Sequence, residues 1–278
     1  MLRLALRVAR ADAELVLAEL LELAPGGVEE VDVDEQTVEY AVYGAEGELP
    51  ELPDVQAAAA GAGGTLVSIS TTEVADDWAD RWREFHRPLV IERDGAPRLT
   101  VRPPWEAPAT VGLDVVIDPG RAFGTGAHAT TALCLELLLD LGRERAGSCV
   151  DLGCGSGVLA IVAALLGHEP VLALDYDPLA VEATAENAAR AGVPVEVRRF
   201  DLREEQVPAA DLVLANVLAG PLLGWAGSQR RLPARLILSG LLVTEADRVC
   251  AAYARRGMTQ TARRVRGDWA ALALVAEA

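Results

Sequence analysis

Cys149-Val-Asp-Leu-Gly-Cys-Gly-Ser-Gly157, then the apolar run Val158 to Leu166, then Leu172-Ala-Leu-Asp175 decide how this chain folds. Cys149-Val150 opens a short apolar strand, three alternate glycines follow, and an Ala/Leu/Ile helix comes next. A second strand then ends on a carboxylate. Strand, glycine turn, helix, strand and acidic residue is the outline of a nucleotide-cofactor site. Gly153, Gly155 and Gly157 let the backbone turn tightly and approach a ligand without Cβ clashes. Asp175 falls at the end of the second strand, where a carboxylate accepts hydrogen bonds from ribose hydroxyls.

The spacing narrows the cofactor. The dinucleotide fingerprint is G-x-G-x-x-G with a helix N-terminus aimed at a pyrophosphate. Here the pattern is D-x-G-x-G-x-G, one residue shorter in the last gap and preceded by Asp151. It resembles the first motif of the Rossmann-like S-adenosylmethionine (SAM) methyltransferases. SAM has no phosphate and carries a cationic sulfonium and ammonium, which an acidic glycine loop suits better than a phosphate cradle. A glycine turn that only packs a helix on a strand is the structural alternative.

The chain has 278 residues, enough for a large core and two domains. Apolar residues make up 51% and aromatics 4%, so Ala, Leu and Val build that core. No apolar run approaches the roughly 20 residues that span a membrane. Charges interrupt Met1-Leu-Arg-Leu-Ala-Leu-Arg7, unlike a signal sequence. We expect a soluble, cytoplasmic monomer. Cys134, Cys149, Cys154 and Cys250 form no C-x-x-C pair, so neither zinc nor disulfides are expected. Cys154, within the loop, reads as a small buried hydrophobe.

A net charge of −17 argues against nucleic acid as a direct partner. The charge fits a basic protein substrate, steered by attraction, or simple solubility. Every one of the 25 basic side chains is arginine. A GC-rich genome accounts for that, as would a lysine-methylating enzyme unable to modify itself.

Residues 1–72 form a small domain. Leu2–Val8 alternates as a strand, and Asp12 is placed to N-cap a helix running to Leu23. Val28–Val33 and Thr37–Tyr43 make a hairpin across 34–36. A helix near 54–61 and a strand near 65–69 complete a βαββαβ order, the ferredoxin-like arrangement. Residues 1–60 hold 14 acidic side chains and three arginines. Such a module serves substrate docking, dimerisation or no function of its own. Residues 73–106 read as a bridge whose Trp78, Trp82 and Phe85 form a packing stripe on one helix. Residues 107–278 alternate strands (148–152, 171–174, 195–198, 211–215, 234–238) with helices (129–140, 157–166, 178–191, 244–255). That predicts a doubly wound parallel sheet with ligands at the strands' carboxyl ends.

Four further segments extend the resemblance. They are Asp118-Pro-Gly-Arg-Ala-Phe-Gly-Thr-Gly-Ala-His-Ala-Thr-Thr131, Asp175-Tyr-Asp-Pro-Leu-Ala-Val181 with Asn187, Asp211 to Leu222, and Leu238-Ser-Gly-Leu-Leu242. With the N-terminal module they closely resemble the bacterial ribosomal-protein L-eleven methyltransferase family along essentially the whole chain. The resemblance implies transfer of methyl groups from SAM, leaving S-adenosylhomocysteine (SAH). The acceptors it implies are lysine and N-terminal amines of that basic ribosomal protein, which become trimethylated. It implies cofactor contacts at Thr131, Gly153, Asp175 and Asn216, substrate recognition by the N-terminal domain, and a flexible linker. No metal is expected, since the sequence shows no ligand cluster. Another amine acceptor, a protein glutamine or a small molecule, is the alternative reading.

Asn216-Val-Leu-Ala219 resembles the N-P-P-[Tyr/Phe] motif of amino-methylating enzymes. There the Asn oxygen and a following backbone carbonyl accept hydrogen bonds from the substrate nitrogen. Asn216 and Leu218 are therefore the catalytic candidates, with Phe123 shielding the sulfonium from water as loop 118–131 closes. Thr131 is expected to cap the first helix of the catalytic domain. His128 is either a proton acceptor or structural, and Asp201 is a candidate for the adenine amino group.

Overall fold

In a computed structural model of the chain, the described residues are 2–24, 28–34, 36–44, 49–50, 52–61, 65–73, 86–118, 128–142 and 146–277. Two compact units divide between Phe85 and His86. The stripe of Trp78, Trp82 and Phe85 lies outside the described residues.

The first unit runs β1 (Leu2–Ala9), α1 (Ala13–Leu23), β2 (Glu29–Asp32), β3 (Thr37–Gly44), α2 (Leu52–Gly61) and β4 (Leu66–Glu73). Its antiparallel sheet has the order β2-β3-β1-β4. Alternation sends Leu4, Leu6, Val8, Val38 and Tyr40 to one face, where Val16, Leu20, Val55 and Ala59 of the helices meet them. The hairpin turns as the sequence predicts, with Asp34 Oδ1 accepting from the amides of Gln36 and Thr37 at 2.8 Å each. Asp12 differs from expectation. It ends a short 3-10 turn, makes no cap bond to α1, and accepts instead from the Thr65 amide at 2.9 Å.

The second unit begins with β5 (Leu89–Ile91), β6 (Leu99–Arg102) and β7 (Leu113–Val116), which form a small sheet. Two of these strands fall in the stretch read from sequence as a bridge. Ile91, Leu99, Val101 and Val115 are buried in the unit's main core, which makes them strands of it.

The large sheet uses β8 (Cys149–Leu152), β9 (Val171–Asp175), β10 (Glu196–Arg199), β11 (Leu212–Asn216), β12 (Arg235–Leu242), β13 (Met258–Arg266) and β14 (Trp269–Ala276). Its order is β10-β9-β8-β11-β12-β14-β13. The first five strands in that order are parallel, as expected. The last two are an antiparallel hairpin added to the β12 edge, which the sequence reading left unassigned. The helices are α3 (Ala129–Leu141), α4 (Val158–Leu165), α5 (Pro178–Ala191), α6 (Ala219–Ser228) and α7 (Val243–Ala254). Leu212 and Leu214 pack into a core with α3 and α4, while Val213 and Ala215 pack into another with α6 and α7. That two-sided burial explains the unbroken apolar runs of the parallel strands. No helix among the described residues is long and apolar enough to cross a membrane.

Candidate functional site

The carboxyl ends of β8, β9 and β11 carry Asp151, Asp175 and Asn216 on adjacent parallel strands. Between β8 and α4 the glycine loop leaves the sheet and turns under a dense set of hydrogen bonds. The amides of Gly153 and Cys154 donate to Leu174 O at 2.8 and 3.1 Å, and that of Gly155 donates to Asp175 Oδ2 at 2.9 Å. Asp175 Oδ1 accepts from the Asp177 amide at 3.1 Å. From α5, Thr184 Oγ1 donates to Gly155 O and Asn187 Nδ2 donates to Ser156 O, both at 2.9 Å. The loop's backbone groups are therefore held from two sides. Thr184 was not singled out from sequence. Its only signal is a polar pair with Asn187, three residues apart on an alanine-rich helix.

Gly153 and Gly157 each leave room for a neighbouring side chain. A Cβ at Gly153 would stand 2.4 Å from Val217 Cγ1, in the turn after β11. At Gly157 it would stand 2.7 Å from Thr184 Cγ2, so this glycine makes room for α5 to pack rather than for a ligand. Asp151 also differs from expectation. It is fully buried beneath the loop, and its Oδ2 accepts from the Ala160 amide at 3.0 Å. That bond fixes the start of α4. Burial, helped by the charge of Asp175, pushes its carboxyl up to about 7. Burial raises Asp175 as well, opposed by the amides of Gly155 and Asp177. Cys154 is buried, its Sγ lies 3.2 Å from Thr184 Oγ1, and its thiol is pushed well up by burial. It is packed rather than reactive.

Asn216 reaches across to α3. Its Nδ2 donates to Thr131 Oγ1 at 3.3 Å. Its Oδ1 is buried and has no hydrogen-bond partner among the described residues. The amide orientation follows from this network. Thr131 therefore does not cap α3 as expected. His128 does, its Nδ1 accepting from the Thr130 amide at 3.3 Å and lying 2.8 Å from Thr130 Oγ1. The His128 ring packs edge-on against Trp269 with centroids 4.9 Å apart, and burial pushes it down to about 4. Ser239 Oγ, opposite Asn216 in the β11–β12 register, donates to Thr130 O at 3.2 Å, a second tie between α3 and the sheet.

Leu218 is the N-cap residue of α6, and its carbonyl accepts a long bond of 3.4 Å from the Leu222 amide. Asp201, the candidate for the adenine amino group, is engaged by a neighbouring cation. Arg203 engages both of its oxygens, at 3.0 and 2.8 Å, and holds it down to about 2. Phe123, and Gly120, Gly124 and Gly126 with it, lie outside the described residues. Thr131, Asn216, Gly153, Gly155 and Asp175 are thus brought to the carboxyl end of the sheet. Asp151 and Gly157 support the loop there, one through the Ala160 amide and the other by admitting Thr184.

The family description "Ribosomal protein L11 methyltransferase (PrmA)" matches residues 6–277. A ribosomal protein L11 methyltransferase of Pseudomonas aeruginosa is 45% identical over 203 residues, 69% of this chain and 65% of that protein. The homologue of the same name from Pelotomaculum thermopropionicum is 41% identical over 218 residues, 76% of this chain and 69% of its own. The match to this chain thus spans about two thirds of the length of these relatives. A crystal structure of ribosomal protein L11 methylase from Lactobacillus delbrueckii subsp. bulgaricus superposes with a TM-score of 0.58 and 28% identity. It covers 68% of this chain and 98% of that one.

Proposed function

This chain belongs to the ribosomal protein L11 methyltransferase family, and on that premise we propose that it methylates amino groups of ribosomal protein L11 with SAM as methyl donor. One observation carries the reading at the site. Asn216 has its amide nitrogen fixed by Thr131 while its Oδ1 is buried and unpartnered. A buried acceptor left open in this way costs about 1–3 kcal/mol, which an incoming N–H donor repays.

The acceptor-rich carboxyl end of the sheet fits a cationic cofactor. The carboxylate of Asp175 accepts from two backbone amides and keeps lone pairs for ribose hydroxyls. Gly155, whose amide is tied to that carboxylate, brings glycine backbone to the same place. We assign Thr131, Gly153, Gly155, Asp175 and Asn216 to holding SAM, with Asp151 and Gly157 shaping the loop. When bound, SAM supplies an electrophilic methyl on a cationic sulfur, and the thioether product is SAH.

The chain's own work is on the amine. A free lysine has a pKa near 10.4, so only about one in a few thousand is neutral at pH 7. Asn216 Oδ1 and the carbonyl of Leu218, which retains a second lone pair, accept the two N–H bonds of a neutral amine and leave its lone pair directed outward. Both acceptors are uncharged, so they hold the neutral amine without stabilising its ammonium form as a carboxylate would. His128 is unsuited to take the amine's proton, because its Nδ1 is occupied by the helix cap. Three methyls on lysine and N-terminal amines complete the reading. The βαββαβ unit, read as ferredoxin-like, supplies an acidic docking surface for the basic substrate.

The test is mass spectrometry of purified L11 incubated with the protein and SAM. Gains in steps of about 14 daltons, absent with Asn216→Ala, are expected; SAM binding without any gain would move the acceptor to another amine.

A further inference from the structure

Val217, one residue beyond Asn216, fills two spaces that glycines leave open. A Cβ at Gly153 would lie 2.4 Å from its Cγ1. A Cβ at Gly240 would lie 2.6 Å from its carbonyl oxygen, 2.8 Å from its carbonyl carbon and 3.0 Å from its nitrogen. Real Cβ atoms do not come so close, so neither glycine tolerates a side chain while Val217 stays in place. Gly240 has φ +78° and sits where the β12–β14 register shifts, between Leu238 and Leu241. This irregularity falls where β12 passes the backbone of the residue that follows Asn216. The glycine loop therefore meets the side chain of Val217, and β12 meets its backbone.

We propose that Val217 is a positioning residue, clamped between Gly153 and Gly240, which sets Asn216 Oδ1 at a fixed distance from the glycine loop. The inference rests on the reading of Asn216 as the amine acceptor. A β-branched side chain suits the task because its χ1 is stiff, so the methyl over Gly153 acts as a hard stop. In displacement chemistry the two reacting centres must be held in line, and a misplacement of about 1 Å costs roughly a hundredfold in rate. Val217 touches neither reacting atom in this scheme; it acts through the residue beside it. Packing alone predicts otherwise: truncation would lower stability and leave the turnover of folded protein unchanged.

The experiment compares Val217→Ala with Val217→Thr, which keeps the branched shape. Three readings are taken: kcat and KM on L11, SAH affinity by calorimetry, and hydrogen–deuterium exchange of the ligand-free protein. For Val217→Ala, kcat should fall about tenfold to a hundredfold, with KM and SAH affinity within about threefold. Deuterium uptake should rise together in 152–157 and 216–222. Val217→Thr should restore kcat to within about threefold of the parent. An unchanged kcat in Val217→Ala, or faster exchange in 216–222 alone, overturns the clamp. If the alanine variant does not fold, Val217→Leu keeps the bulk but not the branch and is judged by the same readings. Should the parent protein bind SAH but leave L11 unmodified, the proposed substrate falls, and the exchange data still decide the clamp.

Discussion

The amide of Gly155 donates to Asp175 Oδ2 at 2.9 Å, so the glycine loop and the carboxylate that ends β9 are one unit. Twenty residues separate them in sequence. The bond explains why the loop and the acid occur together: the carboxylate both orders the loop and keeps free lone pairs for a ligand.

Asp175→Ala should weaken SAH binding about tenfold to a hundredfold. That matches the roughly 1.5–3 kcal/mol of hydrogen bonds to a charged acceptor. Asp175→Asn, which retains acceptor capacity but no charge, should fall between. Calorimetry reads both, and an unchanged dissociation constant in Asp175→Ala would remove this residue from the site.

Thr131→Val tests the orientation of Asn216. It keeps the shape and deletes the oxygen that accepts from Nδ2, so the amide is free to rotate and Oδ1 loses its fixed direction. We expect kcat on L11 to fall about tenfold, equivalent to about 1.4 kcal/mol. Thr131→Ser, which restores an acceptor, should recover most of it. Equal turnover in the valine and serine variants would mean that Thr131 does not orient the amide.

Much of the second unit was legible because its parallel strands are buried on both faces and bounded by glycine or acidic residues. The hairpin of β13 and β14 was not. β13 is an edge strand reading Met-Thr-Gln-Thr-Ala-Arg-Arg-Val-Arg, and two of its arginines pair with Glu136 and Asp140 on α3 instead of alternating cleanly. Helix α6 was hidden by Gly220, Pro221, Gly224 and Gly227. Pro221 falls in its first turn, where no amide is needed, and burial of Leu222, Trp225 and Ala226 on one stripe holds the helix together. At the site, Asp175 and the glycines could be read from spacing. The tie from Asn216 to Thr131 spans 85 residues and the helix cap of His128 is atypical, so neither has a local sequence signal.

Asp151 makes stability depend on pH in an unusual direction. Its folded carboxyl stands at about 7 against 3.8 unfolded. Between those values the folded protein binds more protons than the unfolded chain, so this group's contribution falls as pH rises through the window. The neighbouring thiols of Cys134 and Cys149 are pushed up by burial and stay neutral throughout. Asp151→Asn keeps an acceptor for the Ala160 amide and removes the titration. Relative to the parent, the variant should gain stability progressively from pH 4 to pH 7, by about a few kcal/mol in total. Denaturant melts at pH 5, 6, 7 and 8 read the difference, and a constant offset across that range would refute the buried ionisation.

His128 titrates with the opposite sign. Its folded pKa of about 4 lies below the 6.5 of the unfolded chain. The unfolded state takes up a proton first, so the contribution of this group is lost as pH falls from about 6.5 to 4. Above about pH 6 the imidazole stays neutral, with Nδ1 accepting from the Thr130 amide. His128→Asn, a good capping residue, should keep stability near the parent at pH 7.5 and flatten its decline toward pH 5. His128→Ala should cost about 1 kcal/mol, seen as a melting temperature lower by about 2–4 °C. Neither variant should change the shape of the pH–rate profile for L11 methylation above pH 6, because the ring takes no proton from the amine. Loss of an inflection near neutrality in His128→Asn would reverse that assignment and make the histidine the proton acceptor, leaving the α3 cap as its secondary role.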